Sequence, residues 1–283
     1  MKILMIGAHQ DDNEILGGGI AYKLVQKGHD VRFLSMTNGS GGHHQLSIEE
    51  TIATRAEESA AVAKLLNITY DLWMDQNDCI LMPDLETRRR LIRYIRNYAP
   101  DVIISHRPND YHADHRAAGQ LVLDASYLLV VPHECPDAPA LRRMPVIMYY
   151  EDMFTQPLFR CDLIVDVDDV LDIKMRVMDL HVSQVYEWLP YAKEYDAVPE
   201  DKAERFEWLK GMDTTRAYTD EEVCALKQGY AVRFAKTAAR FRKELIEKYG
   251  EDRGSKIRYA EAFGVCEYGS AMTDEVKQLF AEM

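Results

Sequence analysis

The stretch Lys2-Ile3-Leu4-Met5-Ile6-Gly7-Ala8-His9-Gln10-Asp11-Asp12-Asn13-Glu14 is an apolar run that ends abruptly in an imidazole and two adjacent carboxylates. The run reads as a strand, and Glu14 to Lys27, closed by Gly28, reads as a helix. A strand passing straight into a helix sets His9, Asp11 and Asp12 at the carboxyl edge of a sheet, where open α/β folds bind ligands. Ionised carboxylates beside a hydrophobic sheet are costly unless a cation or hydrogen bonds compensate them. The cluster implies a partner that the chain does not supply.

The same alternation continues outward. Asp30 to Met36 reads as a strand, and Ser47 to Asn67 as a helix opened by the capping box Ser47-Ile48-Glu49-Glu50. Ile68 to Met74 is a strand, Asp84 to Tyr98 a helix stopped by Pro100, and Asp101 to Ser105 a continuous apolar strand of the kind found inside parallel sheets. A helix from about Asp114 to Leu129 follows, then strands at Val146 to Tyr150 and Leu163 to Val167. Thr37 to His44, with three glycines, is a loop. The order predicts an α/β fold with a doubly wound, mostly parallel, Rossmann-like sheet. From Asp169 the pattern turns helical and charged, with helices at Val170 to Tyr186 and Asp220 to Tyr249, and Leu189 to Asp213 as helix, lid or both. Residues 1–185 are expected to form the sheet domain with the site. Residues 186–283 are expected to be a mainly helical extension packed on it, without a linker.

At 283 residues, 47% hydrophobic and 29% charged, the chain has a globular composition. It lacks an apolar run long enough to span a membrane and a secretory leader ahead of the first strand, so a cytoplasmic location is expected. The net charge of −13, from 47 acidic against 34 basic residues, argues against nucleic acid or an anionic membrane as partner. A neutral or weakly charged small molecule fits better. Five scattered cysteines without a C-x-x-C pair suggest neither a thiolate zinc site nor a disulfide framework.

A second cluster, His112-Ala113-Asp114-His115, opens the helix after the strand at Asp101 to Ser105. His9, Asp12 and His115 together suit zinc, leaving a fourth position for water. Adjacent side chains point in different directions, so Asp12 as ligand and Asp11 as base is the natural division. His112 and His115, three apart, share one side of a helix mouth; His115 can bind metal while His112 faces the substrate as acid or oxyanion donor. Asp114 can hydrogen-bond an imidazole and keep it protonated. Gly17-Gly18-Gly19 is not a dinucleotide fingerprint, because the spacing is wrong and carboxylates occupy the turn that pyrophosphate would need.

These motifs resemble those of the PIG-L (LmbE-like) family of zinc-dependent N-acetylglucosaminyl deacetylases. Ala8 to Gly19 resembles its A-H-P-D-D-x-E segment, with Gln10 in place of the usual proline, and His112 to Ala117 resembles its H-x-D-H-R-A. Arg55-Ala56-Glu57-Glu58, His181-Val182-Ser183-Gln184 and Tyr259-Ala260-Glu261-Ala262-Phe263 resemble further family segments. The resemblance implies His9, Asp12 and His115 as metal ligands, Asp11 as general base, and His112 with Asp114 as the electrophilic or acid pair. It implies Zn2+, with Fe2+ suited by the same ligands, and removal of an N-acetyl group from an amino sugar or glycoconjugate. Arg55 and Asp78 resemble positions that hold sugar hydroxyls; Arg55 pairing with Glu58 and Asp78 capping a turn are the equal alternatives. Gln10 is expected to loosen the turn without abolishing metal binding. His43 and His44 are left outside the site, and His181 with Gln184 either approaches the cleft or lies on a helix surface. The alternative function is a catalytically weak or inactive sugar-binding member using the same pocket; retention of every candidate catalytic residue favours the enzyme. A homo-oligomer is left open.

Overall fold

The computed structural model describes residues 1–195 and 197–283; Asp196, in the stretch expected as helix or lid, lies outside the described residues. β1 (Lys2–Gly7) lies near the middle of a seven-stranded sheet, ordered β3 (Thr69–Leu72), β2 (Asp30–Ser35), β1, β4 (Val102–Ser105), β5 (Val146–Tyr150), β7 (Ala260–Val265), β6 (Leu163–Asp166). β1 pairs in parallel with β2 on one side and β4 on the other, with Ile6 opposite Leu34 and Ser105. The chain therefore reverses its direction of growth between β1 and β4, leaving a crevice at their carboxyl ends.

Side chains of β1 alternate between two cores, as the two-residue strand period requires. Ile3 and Met5 pack with Ile20 and Leu24 of α1 (Asp12–Gln26), Val62 and Leu66 of α2 (Ile48–Leu66), and Met175 and Met178 further along the chain. Leu4 and Ile6 pack on the other face with Leu91 and Ile95 of α3 (Leu85–Tyr98) and Leu121 and Val122 of α4 (Ala113–Ser126). Ser47 caps α2 in the expected capping box, accepting from Glu50 N while Glu50 accepts from Ser47 N.

The C-terminal part differs from expectation in three ways. It supplies β7, which runs antiparallel between β5 and β6, so the sheet is completed by residues placed in the helical extension. The expected helix from Asp220 to Tyr249 is three helices, Asp220–Ala225, Tyr230–Arg240 and Arg242–Tyr249. The first break falls at Gly229, at φ 121, which packs on Lys210 and Gly211 so closely that a Cβ would meet the Lys210 carbonyl oxygen at 2.3 Å. The expected helix Val170 to Tyr186 is also split, into α5 (Leu171–Asp179) and a wide π-type turn, Ser183–Trp188. No helix among the described residues is long and apolar enough to cross a membrane.

Within α1, Gly17 leaves helical geometry (φ −153, ψ 17). The break frees two amides and two carbonyls, and a buried ion pair takes them up. Glu261 of β7 accepts from Gly19 N and Ile20 N, both at 2.8 Å. Lys174 of α5 donates to the carbonyls of Glu14 at 3.3 Å and Ile15 at 3.1 Å, and pairs with Glu261. A Cβ on Gly17 would meet the Met5 methyl at 2.3 Å and the Tyr150 ring at 3.3 Å, so the glycine lies close against the sheet.

Candidate metal centre and active site

Three donors converge where β1 enters α1 and α4 begins. His9 Nδ1 lies 3.2 Å from His115 Nε2 and 3.6 Å from Asp12 Oδ2, and His115 Nε2 lies 3.2 Å from Asp12 Oδ1. Tetrahedral zinc with bonds of about 2.0–2.1 Å separates its donors by about 3.3 Å, so this triangle has the size of one ion's ligand set. The outer nitrogens fix which lone pairs face inward. His9 Nε2 lies 2.9 Å from Asp78 Oδ1 and 3.3 Å from Asp114 Oδ2, and His115 Nδ1 lies 3.0 Å from Asp110 Oδ1. Ionised carboxylates only accept, so these outer nitrogens carry hydrogens, and the inner nitrogens of the two rings, turned toward each other and toward Asp12, are the atoms a cation would take. Burial alone would lower both imidazoles, yet the hydrogen bonds of Asp114, Asp12 and Asp78 hold His9 well above its ordinary range. Against the same penalty, Asp12 and Asp110 lift His115 to about 9. The donor set is built for positive charge and fits a divalent cation.

Asp11 stands beside this triangle in a conformation rarely held by a residue with a side chain, φ 134 and ψ −23. Such a backbone costs on the order of 1–3 kcal/mol and persists only where its surroundings hold it. Arg55 does so: its guanidinium donates to the Gln10 carbonyl oxygen and lies 3.3 Å from Asp11 Oδ1. Burial pushes Asp11 up to about 6, against the pull of Arg55. Gln10 is itself buried, donating from Nε2 to the Thr37 carbonyl at 3.2 Å. The turn is thus tied down at the position where proline would have stiffened it.

Several expected residues hold other site residues. Arg55 is 2% exposed and faces Asp11 rather than open solvent or Glu58, which instead accepts from Ser183 N and Oγ. Asp78 faces His9. Asp114 is fully buried; its carboxylate accepts from Cys79 N at 2.7 Å and Leu81 N at 3.1 Å and faces His9, while only its backbone N–H meets His112. That N–H donates to His112 Nδ1 at 3.2 Å, so the neutral ring must carry its hydrogen on Nε2. Burial and the charges of His9 and His115 lower the His112 pKa.

Two residues of the site were missed in the sequence. His106 Nε2 lies 3.1 Å from Asp12 Oδ2, and its ring stacks on His115 with centroids 4.3 Å apart. Its signal was its place directly after β4, the neighbour of β1. Asp110, in the loop before α4, orients His115 and also accepts from His112 N at 2.9 Å. A carboxylate shortly before a helix-opening His-x-x-His is the partner such a ligand needs.

The motif His181 to Gln184 lies beneath the site. His181 Nε2 is 3.0 Å from Glu14 Oε1, and Gln184 donates to the Gly42 carbonyl at 2.9 Å. His43 and His44 pin the glycine loop from outside: His43 Nε2 is 2.9 Å from Glu187, and His44 stacks on Tyr191 at 3.8 Å.

Residues 4–126, which contain His9, Asp11, Asp12 and His115, match the family described as PIG-L, GlcNAc-PI de-N-acetylase. Across that segment the chain resembles the PIG-L family. The chain is 29% identical over 207 residues to the diacetylchitobiose deacetylase of Thermococcus kodakarensis, covering 68% of this chain and 75% of that one. It is 23% identical over 198 residues to the 4-oxalmesaconate hydratase of Pseudomonas putida, covering 67% and 76%. The N,N'-diacetylchitobiose deacetylase of Pyrococcus horikoshii superposes with TM-score 0.65 at 24% identity, over 94% of this chain and 84% of that one. The 4-carboxy-2-hydroxymuconate hydratase of Pseudomonas putida superposes with TM-score 0.69 at 17% identity, over 96% and 98%. These likenesses support the fold described above.

Proposed function

We propose that this protein is a metal-dependent hydrolase that removes the N-acetyl group from an amino sugar or its glycoconjugate, with His9, Asp12 and His115 holding the cation. The observation that carries the reading is the convergence of His9 Nδ1, His115 Nε2 and the Asp12 carboxylate at 3.2 to 3.6 Å from one another, with the strained carboxylate of Asp11 beside them. A divalent cation held there supplies Lewis acidity toward an acyl oxygen and lowers the pKa of water to about 7. Asp11 takes the proton as water attacks the acetyl carbonyl carbon. His112, neutral and with its hydrogen on Nε2, donates to the oxyanion that develops. The C–N bond then breaks, acetate leaves, and the proton on Asp11 passes to the amine. Asp114 and Asp78 orient His9, and Arg55 holds Asp11 in place. The deacetylase relatives support an acetylated sugar as substrate.

Hydration of an unsaturated tricarboxylate is the competing reading, supported by the hydratase relative, because a positioned base and acid can also add water across a conjugated double bond. A silent sugar-binding protein is the third. The test is release of acetate and free amine from N-acetylglucosamine and diacetylchitobiose by Zn2+- and Fe2+-loaded protein, beside loss of absorbance from an unsaturated tricarboxylate. Deacetylation that disappears in Asp11→Asn with metal retained supports the proposal. Turnover of the tricarboxylate alone, or of neither substrate, overturns it.

A further inference from the structure

The helices Asp220–Ala225, Tyr230–Arg240 and Arg242–Tyr249 and the stretch leading into β7 surround a cavity of about 470 Å³ that shares no residue with the metal centre. Pockets of about 300–1,000 Å³ are the size that holds small organic ligands. Arg242 builds one wall. Its guanidinium pairs with Asp220 at 2.8 and 3.1 Å and donates to the carbonyls of Gly254 at 2.8 Å and Ile257 at 2.7 Å. These bonds join two helices to the stretch before β7, so the wall stands before any ligand arrives. Val223, Ala235, Ile246 and Ile257 add an apolar lining.

The charge of the lining runs against that of the chain. Four cations, Arg216, Arg242, Lys256 and Arg258, face one carboxylate, Asp220, in a protein of net charge −13. Arg242 and Asp220 cancel. Arg216 pairs with Glu222, and Arg258 lies 3.9 Å from Asp168, but neither carboxylate lines the cavity. Lys256 is exposed, and its ammonium has no hydrogen bond or ion pair among the described residues. Tyr259 also lines the cavity; it is 0% exposed, and its hydroxyl has no hydrogen-bond partner among the described residues. A buried donor left unpaired is costly, and the cavity is where an acceptor for it can enter.

We propose that this cavity is a second ligand site, which takes a small organic anion with an aromatic or apolar body and a phosphate or carboxylate end. The apolar wall takes the body, Arg216, Lys256 and Arg258 take the anion, and the Tyr259 hydroxyl donates to one of its oxygens. Arg216 lies over the Tyr218 ring at 4.4 Å, which offers a flat face for an aromatic body to stack on. The site is independent of the reaction proposed above and needs no metal.

The experiment is calorimetric titration of the full chain, stripped of metal so that the metal centre cannot hold the anion. The probes are AMP, indole-3-acetate, adenosine and inorganic phosphate. At least one of the first two should saturate a single site, and the tighter of them assigns the end group as phosphate or carboxylate. Adenosine and inorganic phosphate, each with half of the recognition, should bind at least about tenfold more weakly than AMP if phosphate is the end group. Arg216→Gln combined with Lys256→Gln should weaken binding at least about tenfold and remove most of its salt dependence. Tyr259→Phe should also weaken binding about tenfold, while its melting temperature without probe equals or exceeds that of wild type because the unpaired hydroxyl is gone. A tyrosine that only packs would leave binding unchanged. That result in Tyr259→Phe overturns the part given to the hydroxyl. No saturable binding by either organic anion, or binding unchanged in the double variant, overturns the site.

Discussion

The ion pair in the broken helix should be worth far more to this protein than any pair on its surface, and its removal can be worked through. Lys174 and Glu261 have side chains 0% and 1% exposed. Replacing Glu261 by Leu leaves a buried ammonium without its counter-charge, about 3–5 kcal/mol, and strands the amides of Gly19 and Ile20, about 1–3 kcal/mol each. Against a typical domain stability of about 5–15 kcal/mol, that variant should scarcely fold. Lys174→Met is milder, because the Glu261 carboxylate keeps both amide bonds, and about 3 kcal/mol is expected. Glu261→Gln retains one good acceptor and should cost about as much as Lys174→Met. The double variant, with no unpaired charge, should cost less than the sum, giving a coupling of about 2–3 kcal/mol. Urea unfolding of all four proteins with metal chelated away measures this cycle. Because the pair supports the first turn of α1, which carries Asp12, each single variant should also bind Zn2+ more weakly in competition with a chromophoric chelator. Additive unfolding energies, within about 0.5 kcal/mol, would refute the reasoning.

Other consequences are simpler. Asp110→Ala removes the carboxylate that orients His115, so metal affinity should fall about 10–100-fold with the fold intact by circular dichroism. Arg55→Met releases the strained turn at Asp11, and kcat should fall at least about tenfold while zinc content is unchanged. Ser47→Ala breaks the α2 capping box far from the chemistry and should lower stability by about 1 kcal/mol without altering kinetics. Burial, with Lys23 and Arg253 nearby, lowers Lys248 from 10.5 to about 8. The unfolded chain then holds more protons between pH 8 and 10.5, and stability from this group rises with pH across that window. Lys248→Met should flatten the rise by about 1 kcal/mol after solvent screening, measured as urea midpoints at both ends of the window.

Much of this site could be read from the chain because its ligands sit where strands end and helices begin. His9 and Asp12 follow the apolar run of β1, and His115 opens α4 after β4, so the local pattern places them without knowledge of tertiary contacts. His106 and Asp110 were harder to see because their meaning lies in partners across the crevice, Asp12 and His115. Arg55 and Asp78 were visible as polar residues of interest, but which group each one faces depends on how α2 and the loop after β3 dock. β7 was obscured by its own chemistry. Ala260–Val265 is buried on both faces and carries a charge, Glu261, that makes sense only beside Lys174 and the broken helix. The helix from Asp220 onward keeps its apolar period across Gly229, so the break is dictated by contact with Gly211 and not by the periodicity.

The claim on which most depends is that one divalent cation is gripped by His9, Asp12 and His115. X-ray absorption at the metal edge of protein loaded with a single equivalent of zinc measures it directly. The account predicts an inner coordination sphere of nitrogen and oxygen with imidazole scattering and no sulfur, lost in His115→Ala. A sulfur-containing sphere at that loading, or protein that takes up no stoichiometric metal, would contradict it.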